Sequence, residues 1–195
     1  MDVVSAVLVL ILLSPVYLLV SLLVLVDSRG AAFFVQPRAG KNGEIFNLLK
    51  FRTMRPNREE NGQPLDDLRR ITKLGAFLRK YSLDELPQFI NVLKGDMSLV
   101  GPRPLLMKYV PLYSRRQARR LEVRPGITGL PQVSGRNKLT WREKFELDVF
   151  YVDNYSFLLD LRIMLLTVMT VVRREGINSS ESVTMHPFEG NKEGE

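Results

Sequence analysis

The pattern of apolar and polar positions divides the chain into two unlike parts. Val3 to Val26 is a run of 24 residues whose only polar side chains are Ser5, Ser14, Tyr17 and Ser21. As a straight helix it would reach about 36 Å, against roughly 30 Å of bilayer hydrocarbon. A spanning anchor is the plain reading. A cleaved signal peptide is disfavoured, because no basic segment precedes the run and no small-residue cleavage site is evident. Ser14-Pro15, at the middle of the run, opens a second reading. Proline removes one helical hydrogen bond and clashes with the carbonyl four residues back. A helix–break–helix hairpin that enters and leaves by one face is then allowed, with Ser14 satisfying a freed backbone group. Spanning helices tolerate such kinks too. The positive-inside rule puts the Arg-rich part after Val26 in the cytoplasm under either reading.

Beyond Arg29 the pattern becomes mixed and rich in loops. Ala31–Gln36 and Glu44–Phe51, separated by Pro37, Gly40 and Gly43, predict a β-hairpin. Residues 56–67 are polar and predict a surface loop. Thr72–Tyr81 has helical spacing, with Leu74, Phe77, Leu78 and Tyr81 on one side, and Leu86–Leu93 continues as helix. Gly101–Pro104 and Pro125–Gly135 predict structured loops. Leu105–Arg120 alternates apolar residues with Lys108, Arg115, Arg116, Arg119 and Arg120, and predicts an in-plane amphipathic helix or one packed in a core. Phe157–Arg174 offers the same two alternatives. Its uncharged stretch, Ile163 to Val172, is ten residues and too short to span. The pattern thus divides the chain into a membrane helix (1–28), a domain (29–176) and a polar, acidic tail (177–195) that predicts a mobile end.

Composition adds a basic balance: Lys plus Arg number 28 against 21 for Asp plus Glu, a formal charge of +7. Beside an apolar segment this points to anionic head groups or phosphate-bearing substrates, although nucleic acid would suit it as well. The absence of cysteine excludes disulfides, thiol catalysis and cysteine-ligated metals. A single histidine, His186, in the polar tail argues against a Ser-His-Asp triad or a histidine-rich metal site.

The most informative stretch is Ser82-Leu83-Asp84-Glu85-Leu86-Pro87-Gln88. Read structurally, it starts a helix: Ser82 and Glu85 match a capping box, and Asp84 would serve as an N-cap ahead of Pro87. Read chemically, it suits phosphate transfer. A carboxylate at a helix N-terminus is held ionised beside anion-binding donors. With an ordinary pKa of about 4 it needs no general base to attack phosphorus. Magnesium and arginines would relieve repulsion from a diphosphate, with Glu85 as a hard-oxygen metal ligand. Cations for this task are Lys50, Arg52, Arg79, Arg103 between two prolines, and Arg136 after Gly135.

The ordered motifs Lys50–Met54, Leu83–Gln88, Asn91–Pro104, Arg124–Gly129 and Gly135–Asn137 resemble the bacterial sugar transferases. More narrowly, they resemble the small monotopic phosphoglycosyl transferases, above all the diacetylbacillosamine-phosphate transferases of protein glycosylation. The likeness extends from Asp2 to about Gly176. It implies a mainly α fold with a small β-hairpin, a re-entrant helix broken at Ser14-Pro15, and in-plane helices. It also implies that Asp84 attacks the β-phosphorus of a UDP-sugar, that UMP leaves, and that polyprenyl phosphate takes the phosphosugar from the aspartate. Glu85 would assist Mg2+ binding at the Asp84–Glu85 dyad. Lys50, Arg79, Arg103 and Arg136 match phosphate- and nucleotide-handling positions, with Arg52 near Lys50 a further phosphate candidate. The setting implied is the bacterial inner membrane, with the catalytic domain facing the cytoplasm and downstream membrane glycosyltransferases as possible partners. Pro131 and Ser134 depart from the small residue and the Asn common there in the family.

Three rival readings remain. A nucleic-acid protein would interleave aromatics with cations, whereas Trp141 and the tyrosines are scattered. A glycosyltransferase of the Asp-x-Asp type needs a motif that does not occur here. A membrane scaffold would tolerate free replacement of Asp84.

Overall fold

A computed structural model describes residues 2–28, 30–56, 59–60, 63–64, 70–135, 138–173 and 187–191. The apolar run forms two helices, α1 (Asp2–Leu12) and α2 (Ser14–Ser28), bent by 65°. The cause is local. Pro15 has no N–H to give the Ile11 carbonyl, and the Ser14 hydroxyl donates to that carbonyl instead, at 2.8 Å. Bonds from Leu13 N–H to the Val9 carbonyl and from Tyr17 N–H to the Leu13 carbonyl carry the chain across the bend. Among the described residues no single helix is long and apolar enough to cross a membrane; the bent pair passes that test only when taken together.

Each helix buries one narrow face and leaves much of the rest exposed. Ala6 of α1 packs with Phe46, Leu48, Val92 and Met97, and Val20 and Val24 of α2 pack with Phe51 and Leu78. Leu8, Leu12, Leu18, Leu22 and Val26 remain exposed.

The expected hairpin forms from β1 (Phe33–Ala39) and β2 (Ile45–Phe51), antiparallel from Ala39 opposite Ile45 to Phe33 opposite Phe51. Asn42 and Gly43 turn it, with φ of 56° and 79°. Within the polar stretch 56–67, β3 (Glu59–Glu60) pairs with β4 (Gln63–Pro64). The expected helix at 72–81 is α3 (Lys73–Lys80), capped by Thr72, whose hydroxyl accepts from Gly75 N–H. The helix after the acidic motif is α4 (Gln88–Lys94), ended by Gly95 at φ 85°.

The two Gly/Pro-rich loops lock together through β5 (Ser98–Val100) and β6 (Gly126–Thr128), which are parallel. A Cβ on Gly126 would stand 2.1 Å from the Gly101 nitrogen, so the two backbones meet where only glycine fits. Gly126 N–H donates to the Pro102 carbonyl, pinning the loop that carries Arg103.

The stretch 105–120 is not the continuous amphipathic helix expected. It consists of a 3-10 turn over Met107–Leu112, the short α5 (Arg115–Ala118) and a second 3-10 turn over Arg119–Leu121. Pro111 lacks a donor, and Ser114 restarts the backbone with a capping box to Gln117. The arginines here pair with α7 (Trp141–Asn154): Arg116 with Glu146, Arg119 with Asp153 and Arg120 with Asp148.

Between these parts lies α6 (Leu130–Ser134), and α8 (Phe157–Arg173) follows α7. The latter buries Ile163 and exposes Leu158, Leu161, Leu165, Val168 and Met169. Residues 187–191, placed in the tail expected to be mobile, instead pack on the domain, with Phe188 buried.

Candidate active site

The acidic motif folds as a tight connection between α3 and α4. Ser82 takes a left-handed conformation, φ 55°, and Leu83–Glu85 form a 3-10 turn. The Ser82 side chain makes no capping bond, and Pro87 occupies the N-cap of α4. The capping alternative therefore fails for both carboxylates, whose side chains serve something other than the helix start.

Glu85 is clamped. Lys50 Nζ from β2 donates to its Oε1 at 2.7 Å, and Arg103 Nη2 donates to the same oxygen at 2.5 Å. Burial alone would raise its pKa, but the charges and hydrogen bonds of Arg103 and Lys50 outweigh burial and hold it well below the usual carboxylate range.

Asp84 is 8% exposed and, among the described residues, accepts no hydrogen bond and forms no ion pair. Burial first, and the neighbouring Glu85 charge second, push its pKa up; Lys50, Arg79 and Arg103 oppose that rise. This reverses the sequence expectation of a carboxylate held ionised by a helix dipole. Asp84 lies in the turn before α4 rather than at its capped end, and it is the buried residue of that turn. The result is a poorly solvated carboxylate facing several cations, the condition in which an approaching anionic phosphorus centre can be both attracted and attacked.

Second contacts fix the turn. Asn91 of α4 accepts from Leu49 N–H at 3.0 Å and donates to the Asn47 carbonyl at 2.8 Å, tying α4 to the strand that carries Lys50. Tyr17 of α2 donates to the Leu86 carbonyl, joining the apolar helix directly to the end of the turn that carries Asp84 and Glu85.

Of the cations expected here, Lys50 and Arg103 meet Glu85. Arg79 donates Nε to Thr53 Oγ1 at 2.9 Å and adds its charge near Asp84. Arg52 is not brought to the dyad; its guanidinium packs beside Gly30. Arg136 lies outside the described residues. The sequence reading missed Arg38 of β1, which donates to the Pro104 carbonyl at 3.3 Å and to Gln36 at 2.6 Å. Burial and the Arg103 charge pull its pKa down to about 10. It missed Arg120 and Asp148 as well. A signal for Asp148 existed, since it shares helical spacing with Phe145 and Val152, and an acid on an apolar face calls for a buried cation.

No group of three or more His, Asp or Glu side chains gathers among the described residues. The dyad still suits magnesium, which commonly takes one or two carboxylates and completes its shell with substrate phosphates and water. The unengaged carboxylate of Asp84, beside Glu85, is a donor set of that kind.

The sequence matches the bacterial sugar transferases over residues 1–174, and the chain belongs to that family. It is 58% identical to the uncharacterized sugar transferase EpsL of Bacillus subtilis (strain 168) over 158 residues, 81% of this chain and 78% of that protein. It is 41% identical to the UDP-glucose:undecaprenyl-phosphate glucose-1-phosphate transferase of Caulobacter vibrioides over 184 residues, 88% of this chain and 68% of that protein. To the undecaprenyl-phosphate galactose phosphotransferase of Salmonella typhimurium it is 38% identical over 192 residues, 90% of this chain and only 40% of the relative.

Proposed function

We propose that this protein moves a sugar 1-phosphate from a UDP-sugar to polyprenyl (undecaprenyl) phosphate, releasing UMP, as the first membrane step of glycoconjugate assembly. The observation that carries this reading is the buried, unengaged Asp84 carboxylate beside a Glu85 already neutralised by Lys50 and Arg103. Asp84 attacks the β-phosphorus of the donor. The bond from that phosphorus to the bridging oxygen breaks, and UMP departs with the electron pair. A phosphate oxygen of the polyprenyl phosphate then attacks the same phosphorus and frees Asp84 as a carboxylate. In its ionised form Asp84 needs no general base, and the anionic polyprenyl phosphate needs none either. Lys50, Arg79 and Arg103 offset the charge gathered at the diphosphate. Magnesium, when bound by Asp84, Glu85 and the donor phosphates, would neutralise charge on the leaving UMP. Arg136 remains a proposed phosphate or nucleotide contact by resemblance alone, and Arg52 a proposed phosphate contact by its place near Lys50 in the sequence.

The acceptor keeps its phosphate at the leaflet surface, so Asp84 must sit at that surface. The bent pair α1–α2 supports a re-entrant hairpin in the bacterial inner membrane, with the catalytic domain on the cytoplasmic side. The exposed apolar face of α8 supports a second, in-plane contact with lipid. The product would pass to membrane glycosyltransferases downstream. The test is UMP release by the purified protein from a panel of UDP-sugars, with and without undecaprenyl phosphate. Release is expected with at least one donor, lost in excess EDTA and restored by magnesium. No release from any donor would refute the proposed reaction, and full activity in EDTA would refute the metal.

A further inference from the structure

Arg120 is buried at 4% exposure, and every edge of its guanidinium is engaged. Nε donates to Asp148 Oδ2 at 2.9 Å, Nη1 to the Tyr113 hydroxyl at 3.1 Å and Nη2 to the main-chain carbonyl of Arg103 at 2.7 Å. The rings of Tyr113 and Phe145 flank it, with centroids 5.7 and 5.6 Å away. A buried ion pair stabilises a fold little better than apolar packing of the same volume. What this one does, and apolar residues could not, is hold one particular carbonyl. That carbonyl belongs to the residue whose own guanidinium reaches Glu85.

The aromatic shell around Arg120 is closed from outside by the C-terminal segment. Phe188 lies 5.0 Å from Phe145, 5.6 Å from Trp141 and 6.2 Å from Tyr113, between ring centroids. Asn191 accepts from Gln117 at 2.6 Å and donates to the Leu112 carbonyl at 3.3 Å, fastening the segment to the chain on both sides of Tyr113. This segment lies beyond the residues that match the family.

We infer that Arg120 and Phe188 are positioning residues for Arg103: Arg120 sets the Arg103 backbone, and residues 187–191 form a strap that keeps the shell closed around Arg120. The inference rests on the proposed transfer reaction for its catalytic consequence. Its structural part is independent. Loosening the strap lets the shell open, frees the Arg103 loop and misplaces the guanidinium on Glu85. A misplacement of about 1 Å at a reacting centre costs on the order of a hundredfold in rate, so a partial loosening costs about tenfold or more.

Trp141 is the only tryptophan in the chain and touches Phe188, so its emission reports the strap. The experiment compares full-length wild type, Phe188→Ala, Phe188→Leu and Arg120→Lys by Trp141 emission, amide exchange over residues 101–106, and kinetics. Phe188→Ala should red-shift the emission, speed exchange at Arg103, Leu105 and Leu106, and lower kcat about tenfold while donor KM changes less than roughly threefold. Phe188→Leu should restore most of each. Arg120→Lys keeps the charge but loses the fork that joins Asp148 to the Arg103 carbonyl, and should speed the same exchange with the strap still docked. Unchanged emission in Phe188→Ala would overturn the strap. Shifted emission with unchanged exchange at residues 101–106 would overturn its link to Arg103, as would faster exchange with an unaltered kcat. Wild type that releases no UMP would sink the transfer reaction alone, because emission and exchange decide the positioning without turnover.

Discussion

Asp84 and Glu85 are adjacent in one turn, yet their surroundings drive their carboxyls in opposite directions. For Asp84, burial and the Glu85 charge raise the folded-state pKa above its ordinary 3.8. A carboxyl raised in this way favours the fold while protonated, and that contribution is lost as pH rises through the folded value. For Glu85 the sign is opposite. Arg103 and Lys50 outweigh burial, so its contribution is present above its ordinary 4.5 and is lost only in strong acid. The Asp84→Asn variant should therefore fold and melt at or above the wild-type temperature at neutral pH, the advantage closing below the carboxylate range. Turnover should fall by about a thousandfold or more, since the amide is no nucleophile. Retained turnover above about a tenth of wild type would remove the nucleophile assignment, and a lower melting temperature at pH 7 would contradict the burial argument. The placement of the dyad was legible in the sequence because Asp84 and Glu85 stand together in one short motif, and that of Lys50, Arg79 and Arg103 through the order of motifs around it. Arg38 and Arg120 were not, because each acquires its role from a carbonyl or carboxylate far away in the chain.

At the scale of elements, the β-hairpin, α3 and the break in the apolar run followed from local patterns whose physics is local: alternation, helical spacing, and a proline without a donor. The region 105–120 did not, because Pro111 and Ser114 interrupt a periodicity that otherwise looks helical, and Arg116, Arg119 and Arg120 find acids on α7. The bend at Leu13 makes a direct prediction. Replacing Ser14 and Pro15 together by leucine restores the missing N–H and removes the clash, so the pair should straighten and become long enough to span. A single cysteine placed before Val3, in a chain that otherwise has none, reports the outcome in cells. It should resist a membrane-impermeant thiol reagent in the wild-type background and react with it in the double leucine variant. Exterior labelling of the wild-type background would restore a spanning anchor. Tyr17 supplies a second check. Its hydroxyl is the polar tie from α2 to the turn that carries Asp84, and Tyr17→Phe leaves the Leu86 carbonyl without that donor. Loss of the bond should cost about 1–3 kcal/mol in reversible unfolding, and an unchanged stability would mean that the tie is not made in the membrane.

For the whole molecule, the central difficulty is that two anionic substrates come from different phases. In the proposed reaction the UDP-sugar arrives from water and the polyprenyl phosphate from the leaflet, and first the Asp84 carboxylate and then the acceptor must reach the donor's β-phosphorus. The structure bears on this through connectivity. The apolar helices pack on the hairpin and on α3 and α4, and Tyr17 fastens α2 to the turn that holds Asp84. The depth of the carboxylate is thereby set by the same helices proposed to lie in lipid. The proposed covalent phosphosugar on Asp84 would let the reaction proceed in halves, so that the site would never have to hold both anions at once and the cations around Glu85 would serve each in turn. The consequence is measurable with the donor alone. In the absence of polyprenyl phosphate, wild type should release about one UMP per active site in a rapid burst and then stop. Trapped protein should carry the added mass of the phosphosugar, and Asp84→Asn should show neither burst nor adduct. Adding undecaprenyl phosphate afterwards should discharge the adduct into lipid-linked product, and initial rates against both substrates should give parallel double-reciprocal lines. Intersecting lines, with no burst and no adduct under any trapping condition, would mean direct transfer between substrates held together, and would return Asp84 to an electrostatic or metal-binding role.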